Sequence, residues 1–228
     1  MNKINKDNLI KIFILSLFCL SLLQPNDTNY NKLPNDIRWV VKSDEYKLLC
    51  TQIYQEAASI LESIISNDKS RNSSAIIIDL DETVLDNSQY QIENFKLGKT
   101  FNMESWAKWV NRSEATLVPG VSGFIDFIRK KEIQIIFISN RMNERLDATI
   151  KNLKNLNIYS DDDIFLLRLD KSDKKHVRRS EINLGINRMS AYGSFDIIMS
   201  VGDAMGDFDL DNKLIKNIIL PNPMYGKW

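Results

Sequence analysis

Short apolar runs that alternate with helix-period stretches constrain this chain more than any other feature. Ala75-Ile76-Ile77-Ile78, running up to Asp79, is apolar and largely β-branched with no polar face, as a strand covered on both sides requires. Ile133 to Ile138, Ile164 to Leu167, Asp196 to Val201 and Lys216 to Leu220 repeat the pattern. Between them, Gly123 to Lys130, Glu144 to Leu156 and Ser172 to about Leu184 have helical spacing, and upstream a longer helix is expected over Trp39 to Ile65. Within 228 residues this alternation predicts a single α/β domain, a Rossmann-like parallel sheet with helices on both faces. Ligands of such sheets bind at the carboxyl ends of the strands. The residues that follow each run are therefore where chemistry is expected.

Composition removes several function classes. Thirty basic residues balance thirty acidic ones, so nothing favours binding of a nucleic-acid polymer. One histidine is too few for multi-histidine zinc hydrolases, and two cysteines make no disulfide framework. A cysteine phosphatase needs Cys-x5-Arg, but Glu56 and Pro25 stand where the arginines would follow Cys50 and Cys19. The P-loop pattern of kinases is absent.

Lys3, Lys6 and Lys11 precede an almost wholly apolar stretch from Ile12 to Leu23, the form of a signal peptide and too short for a spanning helix. Residues 1–23 are thus expected to be a signal, 24–36 a polar tether, and 37–228 the folded domain. Export to the periplasm or cell surface follows. Cys19 is a lipidation candidate that would give a membrane anchor, although Phe18 stands where a small residue is usual. The alternative is an ordinary cysteine of the signal.

The strand ends carry a coherent set: Asp79-Leu80-Asp81-Glu82-Thr83, Ser139-Asn140-Arg141, Lys171 and Lys174, and Gly202-Asp203-Ala204-Met205-Gly206-Asp207. Carboxylates gathered on one sheet edge would repel one another unless a lysine and a divalent cation joined them. Oxygen donors without cysteine or histidine suit Mg²⁺ rather than Zn²⁺. In this order the motifs resemble the haloacid dehalogenase superfamily of phosphotransferases. The phrases Asp79 to Ser88, Trp106 to Val110, Val118-Pro119-Gly120, Asp170 to Lys174 and Leu220 to Gly226 are similar to the bacterial class C acid phosphatases, which are exported and often lipid-anchored nucleotidases. The resemblance covers roughly Trp39 to Trp228. It implies a Mg²⁺-dependent hydrolase of small phosphomonoesters, nucleoside monophosphates among them.

On that resemblance Asp79 is the nucleophile, becoming an aspartyl phosphate, and Asp81 the acid and base. Asp79, the backbone carbonyl of Asp81, and Asp203 would hold Mg²⁺, with Asp207 in support. Thr83, Ser139 and Asn140 would donate to Asp79 or to phosphoryl oxygens. Lys174, at the second lysine of the family's Lys-Ser-x-Lys phrase, would neutralise charge between nucleophile and phosphate, with Lys171 as competitor. His176 reads as a surface residue. Residues 84–120 would form a small helical, aromatic-rich cap insertion. There Tyr90, which follows the catalytic motif closely, and Trp106, with Tyr225 and Trp228 near the C-terminus, could stack on a nucleobase, although the commoner role of any one such aromatic is to pack the cap. Ala204 replaces the family's usual asparagine, and Asn183 to Ser194 makes a long connection expected as a surface loop. Two other readings stand beside this one: a surface binding lipoprotein that has lost turnover, and another small-molecule phosphatase of the superfamily.

Overall fold

The computed structural model describes residues 30–67 and 73–226. The expected signal, Cys19, Trp228 and the first part of the tether lie outside the described residues. The chain divides into two units after Leu33. Of the first unit residues 30–33 are described, with a 3-10 turn at Tyr30–Lys32. Among the described residues no helix is long and apolar enough to cross a membrane.

The second unit begins with α1 (Asn35–Lys42) and α2 (Asp44–Asn67), followed by β1 (Ser74–Ile78). The chain then leaves the sheet through β2 (Leu85–Asp86), α3 (Ser88–Lys96), α4 (Met103–Arg112) and β3 (Thr116–Leu117). It returns as α5 (Val121–Lys130), β4 (Gln134–Met142), α6 (Leu146–Asn155), β5 (Ile164–Arg168), α7 (Lys175–Leu184), β6 (Asp196–Gly202) and β7 (Lys216–Ile219). The sheet has the order β5-β4-β1-β6-β7, and every neighbouring pair is parallel.

β1 lies at the centre, which is why its buried residues, Ala75 to Ile78, are all apolar. Ile76 and Ile78 enter one core with Phe137, Met199 and Val201, together with Leu61 of α2 and Ile125 of α5. Ala75 and Ile77 face the other way and meet Ile136, Ile138 and Leu166 under Ile182 of α7. The period-2 alternation of a strand thus covers both faces of the sheet with helices. Each fully buried isoleucine contributes about 1.5–3 kcal/mol.

One departure from the sequence expectations has a local cause. The helix expected over Trp39 to Ile65 is two helices, because Ser43 is extended (ψ 133°) and its Oγ accepts the Tyr46 N–H at 2.9 Å. A serine that satisfies the first turn of α2 ends α1 in the same step. The connection after α7 lies at the surface as expected, and it is anchored there. Met189 is fully buried, and Arg188 bonds Glu181 at 2.7 Å and Asp173 at 2.9 Å.

Gly120 sits where α5 meets α2. Its φ is +90°, and a Cβ there would lie 2.8 Å from the Thr51 Cα. Gly120→Ala is expected to destabilise the fold by about 1–3 kcal/mol through overpacking and strain. The midpoint of chemical denaturation reads this directly, and an unchanged midpoint would contradict the close approach.

Candidate active site

The carboxyl ends of β1 and β6 are adjacent, so the residues that follow them meet. Asp79 continues the β1 pairing, its N–H donating to Val201 O at 2.9 Å. Asp203 follows β6, and a 3-10 turn at Met205–Asp207 brings Asp207 back over the strand end. Glycine is required at 202, since a Cβ there would fall 2.3 Å from Asp207 Oδ2. The Ala204 N–H donates to that same oxygen at 2.9 Å. Ala204 itself is exposed, so the departure from asparagine leaves this backbone tie intact. One carboxylate oxygen from each of Asp79, Asp203 and Asp207 lies within 4.8 Å of the others.

The cation among them is Lys175, which corrects the expectation for Lys174. The Lys175 ammonium donates to both Asp79 and Asp207, and all three side chains are buried. Lys174 is the N-cap residue of α7, extended and exposed. Lys175, Arg178, Arg179 and Ile182 share the face of α7 that is turned inward, whereas Lys174, His176 and Val177 point outward, and Lys171 is exposed. The spacing i, i+3, i+4, i+7, ending on an apolar residue, was the available signal.

Burial pushes the Asp79 carboxyl up; the Lys175 ammonium opposes this, and the Asp207, Asp203 and Asp81 carboxylates reinforce it. Burial pushes Lys175 down, but its two carboxylate partners outweigh this and raise it. The Asp203 carboxyl is pushed up to about 6 by burial and by Asp207, against a hydrogen bond from Asn222 Nδ2 at 2.8 Å. A divalent cation among these carboxylates would offset both their burial and their mutual repulsion. The donor set is all oxygen: Cys50 is buried in the core and His176 is exposed.

Asp81 is aimed elsewhere. Glu82 takes a left-handed conformation (φ 56°) and turns the chain immediately after Asp81. The Asp81 carboxylate meets Arg141, whose Nη2 is 2.7 Å and Nε 3.0 Å from Oδ1, with Nε 3.2 Å from Oδ2. Arg141 is 2% exposed, and its Nη1 donates to Thr149 at 3.1 Å. Ser139 Oγ lies 3.4 Å from Asp81 Oδ2, so this hydroxyl faces the second aspartate rather than Asp79. Asn140 is at the surface, its Oδ1 accepting from Arg178 at 3.0 Å. Arg178 is wholly buried and also donates to the carbonyls of Ser139 and Leu166, which ties the ends of β4 and β5 together.

Other expected site residues are placed differently. Thr83 is fully buried, and its Oγ1 makes no hydrogen bond; its carbonyl accepts Tyr54 OH at 2.6 Å, which pins the turn to α2. Tyr90 is 3% exposed, bonds Ser105 Oγ at 2.8 Å and packs edge-on against Trp106, so no ring face is left for a base. Trp106 is half-buried, with the Arg141 guanidinium 5.9 Å from its ring centre. Tyr225 is exposed. Sequence reasoning gave no role to Arg141, Asn222 or Asn87. All three stood inside quoted phrases, but their contacts are visible only in the folded chain.

The geometry agrees with three comparisons. A model of the HAD superfamily, subfamily IIIB (acid phosphatase), matches residues 23–228. The class C acid phosphatase of Bacillus anthracis superposes with a TM-score of 0.70 at 31% identity, over 84% of both chains. Its structure with tungstate bound gives 0.70 at 30% identity, over 87% of both. Acid phosphatase 1 of Solanum lycopersicum is 25% identical over 181 residues, 79% of this chain and 69% of that protein. A family model spanning nearly the whole domain, a shared fold, and carboxylates gathered with a lysine at the strand ends lead to one conclusion: this chain belongs to the acid phosphatases of HAD subfamily IIIB and is a phosphomonoester hydrolase.

Proposed function

We propose that the enzyme hydrolyses small phosphomonoesters, nucleoside monophosphates among them, with Mg²⁺ and through an aspartyl phosphate on Asp79. The observation that carries this reading is the Lys175 ammonium shared by Asp79 and Asp207 beside Asp203. A nucleophilic carboxylate can approach an anionic phosphoryl group only where fixed positive charge offsets both. Crystallisation of the Bacillus anthracis relative with tungstate, a tetrahedral oxyanion like phosphate, supports such a site.

Asp79 attacks phosphorus while the ester P–O bond breaks. Its electron pair leaves on the alcohol oxygen, which takes the proton of Asp81. Asp81, now a carboxylate, removes a proton from water, and the resulting hydroxide attacks the phosphoenzyme. The P–O bond to Asp79 breaks, its electron pair returns to the carboxylate, and Asp81 carries the proton for the next turnover. Asp79, Asp203 and the Asp81 backbone carbonyl would hold Mg²⁺, which supplies charge neutralisation to the phosphoryl oxygens when bound. Lys175 fixes Asp79 and donates to the transferring group. Arg141 keeps Asp81 aimed away from the carboxylate cluster.

Trp106 supports the nucleotide reading. Its half-exposed ring stands beside Arg141 and hence close to Asp81, and base stacking on such a ring is worth about 1–3 kcal/mol. The cationic start and the apolar run to Leu23 support export, with Cys19 as the candidate lipid anchor.

Two experiments follow. Lys175→Met is expected to lower kcat by about 10²–10³-fold on both adenosine 5′-monophosphate and glycerol phosphate, whereas Lys174→Met leaves it nearly unchanged. Circular dichroism confirms that each variant is folded, and a large loss from Lys174→Met alone would overturn the assignment. The second experiment uses the raised carboxyls. A carboxyl whose pKa is raised in the fold adds stability that is complete below its unfolded value and is lost as pH rises through its folded value, here about 6 for Asp203. Metal-free enzyme is therefore expected to lose thermal stability between about pH 5 and pH 7, and Mg²⁺ to raise Tm more at the upper pH. An equal or larger Mg²⁺ increment at the lower pH would contradict cation binding by this cluster.

A further inference from the structure

Asp81 has a third partner that the sequence left without a role. Asn87 Nδ2 is 3.0 Å from Asp81 Oδ1 and 3.2 Å from Leu85 O, while Asn87 Oδ1 accepts Trp109 Nε1–H at 2.8 Å. An indole nitrogen only donates, and carbonyl and carboxylate oxygens accept, so one orientation of the amide satisfies all three contacts and the reverse satisfies none. Asn87 is fully buried and Trp109 nearly so. The Asn87 N–H is bound to Glu82 Oε1 at 3.0 Å, so side chain and backbone are both fixed.

The two oxygens of Asp81 are thereby made unequal. Oδ1 receives Arg141 Nη2 at 2.7 Å, Arg141 Nε at 3.0 Å and Asn87 Nδ2 at 3.0 Å. Oδ2 has only the longer contacts, Arg141 Nε at 3.2 Å and Ser139 Oγ at 3.4 Å. An oxygen accepting three close donors can take a proton only by losing one, whereas its neighbour, held by an Nε it shares and by a long hydroxyl contact, can take one readily.

We infer that Asn87, with its amide oriented by Trp109, is a positioning residue that works with Arg141 to saturate Oδ1 and leave Oδ2 as the oxygen that carries the transferred proton. Trp109 belongs to α4, so this contact ties the segment inserted after β1 to the chemistry at the end of β1. The role exists only if Asp81 is the acid of the reaction, and the test separates the two claims.

The test compares kcat/KM on glycerol phosphate, whose alkoxide must be protonated to leave, with kcat/KM on 2,4-dinitrophenyl phosphate, whose phenolate need not be. kcat/KM reports steps up to loss of the alcohol, so the shared hydrolysis of the phosphoenzyme does not enter. Asn87→Ala is expected to lose about tenfold on glycerol phosphate and little on the aryl ester, a part of the 10²–10⁴-fold that general acid catalysis is worth. Asp81→Asn should show the same selectivity with a larger loss. Because Asn87→Ala leaves the Trp109 N–H buried and unpaired, the double variant Asn87→Ala/Trp109→Phe removes both partners, and the same selective loss is expected there. Equal losses on both esters, or none, in the Asn87 variants would overturn the positioning role while leaving Asp81 as the acid. Absence of selectivity in Asp81→Asn would overturn both.

Discussion

A buried ammonium shared between two carboxylates is the interaction on which the rest of the site depends. Asp79 and Asp207 come from the ends of neighbouring parallel strands, and a third carboxylate, Asp203, lies beside them. Burial and mutual repulsion push the Asp79 and Asp203 carboxyls up, and Lys175 is the cation that opposes this. The Lys175 ammonium pairs with the nucleophilic carboxylate where both side chains are buried. The remaining uncompensated charge is what an incoming divalent cation would neutralise.

The scaffold delivers that lysine by ordinary packing. α7 covers one face of the sheet through Ile182, and the same helical face carries Arg178 and Lys175 toward the strand ends. Arg178 bonds carbonyls from β4 and β5, and Arg188 closes the outer side through Asp173 and Glu181. The first turn of α7 is therefore held against the sheet by buried guanidinium contacts, and the ammonium at its first residue inherits that precision. Asp81 is held on the opposite side by Arg141, which separates the two aspartates in direction although they are two residues apart.

The inner strands were legible because a strand buried on both faces is almost wholly apolar, and each run from Ala75 onward lies within a few residues of a strand. The convergence of Asp79, Asp203 and Asp207 followed from the same reading, since strand ends of a parallel sheet share an edge. The lysine was missed by one residue: a motif phrase selects a position in the chain, whereas the inward face of α7 selects Lys175. Arg141 could not be assigned from spacing, because its carboxylate partner lies 60 residues away. Tyr90 was misplaced for a different reason. Aromatic residues near a motif can stack on a ligand or fill a core, and only the Ser105 bond and the Trp106 contact show that this ring fills the core.

The most direct measurement is rapid acid quench of the enzyme during turnover of a ³²P-labelled phosphomonoester, followed by peptide mapping. Transient label on the peptide containing Asp79, discharged by hydroxylamine as an acyl phosphate is and absent from Asp79→Asn, is the expected result. Turnover without labelled protein at any quench time, or label on a residue other than Asp79, would contradict a carboxylate nucleophile at the end of β1.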